Sequence, residues 1–181
     1  ERTEQNYNTI YEYDFENFLE ANDEISHLVM NLLKTHKGNC HSMPYLYKIL
    51  CNELDAEAHI SLAPMHLFIK HRDENGEWWN LETTSGTFSR TSFLIETFQI
   101  SDLAIESGFY MHPLTEKETI ALCLNDLLGI YEKKGGNYYD DFVVKCANLG
   151  MQYFPKSYLT GRMADAVKYR LGKNMESIGL T

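Results

Sequence analysis

Asn75-Gly76, standing between two runs of alternating polar and apolar residues, is the feature that most narrows how this chain can fold. Asn and Gly both tolerate the positive φ values of tight hairpin turns, and the pair between alternating segments is the strongest short-range hairpin signal. His66–Arg72 and Glu77–Thr83 are therefore predicted to be adjacent antiparallel strands joined through Asp73-Glu74-Asn75-Gly76. A third run of strand character, Ala56–Leu62, precedes them. This arrangement puts His66 and Glu82 on neighbouring strands, each at the end away from the turn.

Helical spacing surrounds the strands. Phe15, Phe18, Leu19, Ile25, Leu28, Val29, Leu32 and Leu33 recur at three- and four-residue intervals, predicting an amphipathic helix with Asp14 as N-cap. Gly38 would end it by supplying a left-handed turn. A second helix follows Cys40, with Pro44 tolerated in its first turn and Tyr45, Leu46, Ile49, Leu50 and Leu54 as its buried stripe. Residues 83–91, rich in Ser, Thr and Gly, read as a loop, and residues 92–108 as two short helical pieces. A composition shift near Pro113 marks a boundary between a core over 1–112 and a helical tail over 113–181, with helices at about 116–133, 138–153 and 157–172.

Composition removes several function classes. With 44% apolar and 23% charged residues the sequence belongs with ordinary soluble globular chains. The net charge of −10, with no basic run longer than Lys133-Lys134, argues against a nucleic-acid partner, because phosphate binding needs clustered Lys and Arg. The acidity itself is read as a contribution to solubility. No segment reaches the roughly 20 apolar residues that span a bilayer, and residues 1–12 lack the apolar run of a signal peptide. The sequence opens at Glu1 without methionine, so a leader could have been removed, and cytoplasmic, periplasmic and secreted locations stay open.

The four cysteines, Cys40, Cys51, Cys123 and Cys146, form no CxxC pair and are too few for a disulfide scaffold or a structural zinc site. Cys51, Cys123 and Cys146 have apolar neighbours at helical spacing and are expected to be small core residues. Cys40 differs, because it follows Gly38-Asn39, precedes His41-Ser42, and falls at a predicted helix start. Unpaired N–H groups and the positive end of the helix dipole favour thiolate over thiol there.

A cysteine at a helix start, a histidine opening a strand and an acid at the end of the next strand follow the logic of nucleophile, base and orienter. Cys40 would be the nucleophile, His66 the base, and Glu82 the group that holds the imidazole tautomer and stabilises the imidazolium. Asn80, two residues earlier on the same strand face, is the alternative orienter. His36, His41, His59 and His71 could join Cys40 at a metal, but their spacings follow no common ligand pattern, so no metal is expected. Trp78, Trp79, Phe68, Tyr45 and Tyr47 are assigned to the core rather than to a substrate groove, and residues 80–86 to a substrate rim.

Gly38-Asn39-Cys40-His41-Ser42, Ala63-Pro64-Met65-His66-Leu67-Phe68-Ile69 and Gly76-Glu77-Trp78-Trp79-Asn80-Leu81-Glu82-Thr83-Thr84 resemble the three core motifs of the transglutaminase-like superfamily. The similarity covers roughly residues 25–90 and points to the short bacterial branch in which the core precedes tetratricopeptide-type helices. It implies a papain-type α+β core, with a helix led by Cys40 on a small antiparallel sheet, and a Cys-His-acid site acting on a peptide or protein substrate by acyl transfer or amide hydrolysis. The family pattern has Asp, followed by Pro and Thr, where this chain has Glu82-Thr83-Thr84. An oxyanion hole using the Cys40 backbone N–H is also implied.

No cofactor is required by this chemistry, and no loop carries the dense run of carboxylates that calcium would need. Leu128-Gly129, Tyr131, Gly136, Ala147, Gly150 and Pro155 resemble one degenerate tetratricopeptide repeat. Such a tail would cover the core or hold a protein partner. The competing reading is a catalytically inactive module of the same fold that binds a protein.

Overall fold

The computed structural model describes residues 10–16, 24–137, 140–156 and 159–179, and the chain divides into two units, Glu1–Ile100 and Ser101–Thr181. The composition shift near Pro113 thus falls inside the second unit. In chain order the first unit contains β1 (Glu12–Tyr13), a 3-10 turn (Glu24–His27), α1 (Val29–Thr35), β2 (Lys37–Gly38), α2 (Ser42–Glu53), β3 (Ala58–Ala63), β4 (His66–Arg72), β5 (Trp78–Glu82), β6 (Thr87–Ser89) and α3 (Thr91–Thr97). The second contains α4 (Asp102–Glu106), α5 (Glu116–Lys133), α6 (Asp141–Tyr153) and α7 (Leu159–Ser177). The architecture is α+β, with helices gathered at the C-terminal side of the sequence.

β3, β4, β5 and β6 form an antiparallel sheet in chain order. The predicted hairpin joins β4 to β5, with Arg72 opposite Trp78. Its turn is held by Asp73, whose Oδ1 accepts from the N–H groups of Asn75 and Glu77 at 2.9 Å each. Only Gly76 takes a positive φ, 83°, so the connection is longer than a two-residue turn and uses the freedom of glycine once. β6 arises inside the predicted 83–91 loop: Gly86, at φ 68°, reverses the chain and lets Leu81 pair with Phe88.

Register sorts the side chains of this sheet onto two faces. His66, Phe68 and Lys70 share one face with Asn80 and Glu82, while Leu67, Ile69 and His71 share the other with Trp79 and Leu81. The core of the unit runs through Ile60, Phe68 and Ile69, each fully buried. Contacts of Tyr47 and Cys51 with His71 put α2 on the second face. On the first face Phe98, which caps α3, stacks on His66.

Several helical expectations are corrected. The predicted helix from Phe15 is not continuous: Leu28 is extended as N-cap of α1, and Phe15 is exposed, while residues 17–23 lie outside the described residues. Asp14 is no N-cap either. It is buried and its N–H donates to Gly38 O at 2.8 Å, continuing the short parallel pairing in which Tyr13 lies opposite Gly38. The left-handed residue ending α1 is His36, at φ 59°. Gly38 is required for a different reason: a Cβ there would stand 2.7 Å from Leu32 Cδ1 and 2.9 Å from Ser42 Oγ.

α2 starts two residues after Cys40 and buries Ser42, Pro44, Tyr45, Lys48 and Cys51. Of the predicted stripe Tyr45 is buried, but Ile49, Leu50 and Leu54 are exposed. The helix is rotated from the orientation that its leucines suggest, because the chain leading into it is tethered at Gly38 and Asn39. Trp78 and Trp79, assigned to the core, are half exposed, whereas Phe68 and Tyr45 are buried as expected. Cys51 and Cys146 are buried, but Cys123 is exposed.

In the second unit α5 begins with a capping box, Thr115 and Glu118 satisfying each other's backbone N–H groups. Asp140 caps α6, and Leu128, Val143, Cys146 and Ala147 pack together between α5 and α6. Among the described residues no helix is long and apolar enough to cross a membrane.

Candidate active site

The strand-order logic of the sheet delivers two of the three predicted side chains to one place. His66 opens β4 and Glu82 closes β5 on the same sheet face, and His66 Nε2 lies 2.7 Å from Glu82 Oε2. Both side chains are largely screened from solvent, at 14% and 13% exposure, so this charge-assisted contact is not diluted as a surface pair would be. Phe98 stacks on the imidazole with ring centroids 4.8 Å apart and nearly parallel planes. The ring is thereby fixed both in plane and in azimuth.

Cys40 lies near this ring, close enough for His66 and the Leu67 backbone N–H to lower its thiol. Asn39 shapes the approach: its Oδ1 accepts from the N–H groups of His41 at 2.9 Å and Ser42 at 3.2 Å, and its Nδ2 donates to Ser26 Oγ at 2.8 Å. Ser42 returns the favour by accepting from Asn39 N–H at 3.1 Å. These bonds satisfy the first amides of α2, while the Cys40 N–H makes no hydrogen bond among the described residues.

Electrostatics of the pair follow from these contacts. Burial opposes the charged form of Cys40, but the hydrogen bond from His66, the fields of His41 and His66 and the Leu67 N–H together outweigh it, and the thiol pKa falls below its ordinary value. Burial likewise opposes the imidazolium of His66, yet its bonds to Cys40 and Glu82 dominate and push it up to about 9. Both shifts favour thiolate beside imidazolium over the neutral pair.

Asn80 is drawn elsewhere. It is buried on the same sheet face, but its Nδ2 donates to Ser89 O at 3.1 Å and to Thr91 Oγ1 at 3.0 Å, tying β5 to β6 and α3. His59, His71 and His36 also stand apart from Cys40: His59 faces Glu57 at 3.5 Å, His71 meets Tyr47 Oη at 2.8 Å, and His36 packs against Tyr11.

Three neighbours escaped sequence reasoning. Phe98 lies in a predicted helical piece with nothing to mark it as a partner of His66. His41 was read only as a possible ligand, yet its ring stacks on His27 at 4.0 Å and its charge helps lower the Cys40 thiol. Tyr13 is brought near by the pairing with Gly38; burial, then the field of Cys40, then Asp14 push its hydroxyl up to about 12. The adjacency of Tyr13 to the reactive segment depends on a two-residue strand that no periodicity announces. Comparison of the chain with protein-family models, with curated proteins and with solved structures finds no match.

Proposed function

We propose that the chain is a cysteine-dependent acyl-transfer or amide-hydrolysis enzyme built on a transglutaminase-like, papain-type core, with Cys40 as nucleophile, His66 as acid and base, and Glu82 as orienter. The observation that carries this reading is the 2.7 Å contact of His66 Nε2 with Glu82 Oε2 beside Cys40, whose thiol is lowered, against burial, by its interaction with His66. In the first step the Cys40 thiolate attacks a carboxamide carbon and forms the C–S bond. The tetrahedral oxyanion meets the uncommitted Cys40 N–H, and Tyr13 remains a neutral hydroxyl nearby, able to donate.

His66 then gives its proton to the leaving nitrogen as the C–N bond breaks, leaving a thioester on Cys40. Water or an amine attacks the thioester, His66 takes the proton of the attacking group, and the thiolate leaves with its electron pair. The substrate is a peptide or protein carboxamide, and the helices after Ser101 form a tetratricopeptide-like tail. Peptide-resolved mass spectrometry after incubation with carboxamide and peptide acyl donors tests the assignment. A thioester adduct on Cys40 that is discharged by added amines supports it; the absence of an adduct, together with alkylation of Cys40 no faster than a free thiol at neutral pH, excludes it and leaves the inactive binding module.

A further inference from the structure

A pocket of about 510 Å³ is lined by Tyr47, His71, Arg72, Asp73, Trp79 and Phe88. His71, Trp79 and Phe88 stand on the sheet face opposite His66 and Glu82, Tyr47 comes from α2, and Arg72 and Asp73 come from the end of β4 and the hairpin turn. The volume is that of a small-ligand site. Its most open walls are aromatic: Trp79 is 48% and Phe88 63% exposed. Their ring centroids lie 6.2 Å apart with planes at 78°, so the two rings form a corner.

Trp79 is fixed in that corner. Its Nε1 donates to Asp73 Oδ2 at 2.9 Å, while Asp73 Oδ1 accepts from the N–H groups of Asn75 and Glu77. An exposed indole oriented in advance has already lost the rotamer freedom that binding would otherwise cost. Arg72 is held as well, its Nε donating to Gly76 O at 3.3 Å and its guanidinium lying over Trp78. The guanidinium keeps further N–H donors, and each oxygen of the Asp73 carboxylate has two lone pairs.

This mixture selects its ligand. Opposite charges stand side by side at Arg72 and Asp73, so a simple cation or a simple anion meets a like charge there. Rings set nearly perpendicular give no parallel slot for another flat aromatic. A purely apolar group would strip water from both charged side chains and return no hydrogen bond. A neutral ring with C–H groups on its faces and hydroxyls around its rim suits every wall: the slightly positive C–H groups lie on the negative face of the indole, and neighbouring hydroxyls exchange hydrogen bonds with Arg72 and Asp73.

We propose that this pocket binds a neutral hexopyranose whose hydroxyls are equatorial, stacked on Trp79. The site contains none of Cys40, His66 and Glu82 and stands independently of the reaction proposed for them. The chain has two tryptophans, hence two indole N–H signals in a nitrogen-edited NMR spectrum, and Trp78→Phe assigns them. Cellobiose, two β-linked glucopyranose rings, is expected to shift the Trp79 indole and the Asn75 and Glu77 amides with half-saturation at about 1 mM. The Trp78 indole, on the other sheet face, should stay in place. Trp79→Ala should weaken binding at least about tenfold, read at the remaining amides, and Phe88→Ala about threefold. No shift of the Trp79 indole at about 20 mM cellobiose overturns the proposal. So do shifts that persist unchanged in Trp79→Ala, and so does tighter binding of tetramethylammonium or benzamide than of cellobiose, which would make the pocket a cation or aromatic site.

Discussion

Two cysteine–histidine pairs bridge α2 and β4 in this protein, and they behave in opposite ways. Cys40 lies two residues before α2 and His66 opens β4; Cys51 and His71 sit near the ends of the two elements, with Cys51 Sγ 3.9 Å from His71 Nε2. The Cys40 thiol is lowered, whereas burial raises that of Cys51 against smaller opposing effects from Tyr47 and Lys48. Position on the helix contributes. Cys40 lies just before the N-terminal end of α2, where the helix dipole favours an anion, and Cys51 lies in the last turn, where the carbonyl end disfavours one. The partner behind each imidazole differs as well. His66 has the carboxylate of Glu82, while His71 has the Tyr47 hydroxyl at 2.8 Å, itself pushed up to about 12 by burial and then Cys51. A neutral phenol gives an imidazolium no counter-charge.

The strongest way to break the contrast is to remove each sulfur in turn. Cys40→Ala should lower turnover by on the order of 10⁴-fold or more, as loss of a nucleophile does. Cys51→Ala should leave turnover within about threefold and cost about 1–2 kcal/mol of stability. Steady-state kinetics with denaturant melts on both variants decides this; equal losses of activity would mean that the two pairs are not functionally distinct.

Glu82→Gln removes the charge that distinguishes His66 from His71 and should reduce kcat/KM by about 10²- to 10⁴-fold. Its pH profile carries the sharper information. In the native chain activity should rise as the thiol ionises below its ordinary range and fall as His66 loses its proton near 9. Without the carboxylate the imidazolium is less favoured, so the alkaline limb must move to lower pH. An alkaline limb that stays in place would show that Glu82 does not set it.

Gly38→Ala tests the tether that aims Cys40. The added methyl would meet Leu32 and Ser42 below 3.0 Å, and overpacking of this kind costs about 1–3 kcal/mol. The denaturation midpoint should fall, with a parallel loss in the rate of Cys40 alkylation as Asn39 and Ser42 shift. Smallest of all is Tyr47→Phe. Losing its bond to His71 should cost about 1 kcal/mol, while the alkylation rate of Cys40 stays within about twofold; a larger change there would mean that the two pairs communicate through α2.

The hairpin and the meeting of His66 with Glu82 were legible because both depend on local chemistry. Asn75-Gly76 fixes which strands are neighbours, and once they pair, strand alternation alone brings His66 and Glu82 to one face. What could not be read depends on tertiary pulls. β6 is three residues of a Ser- and Thr-rich stretch that become a strand only because β5 offers them an edge. Phe15 and Leu28 belong to one run of helical spacing, yet Tyr13 pairs with Gly38 just before Phe15 and Leu28 is extended ahead of α1. On α2 the pattern of leucines pointed to burial, while the actual buried face includes Ser42 and Lys48, because the entry at Asn39 sets the rotation of the helix. Asn80 was read as the alternative orienter of His66, and sequence gives no sign of its bonds to Ser89 and Thr91.

The sheet's spatial order repeats its chain order, and this has a kinetic meaning. Each new strand joins the one just made by closing a short loop, and the entropy lost in closure grows only slowly with loop length. Contacts between sequence neighbours are the ones that form fastest. The histidine and glutamate can therefore meet as soon as one hairpin zips, and the sulfur has only to be delivered by the helix immediately upstream. Chemistry of this design ripens early in folding, within a single stretch of nascent chain.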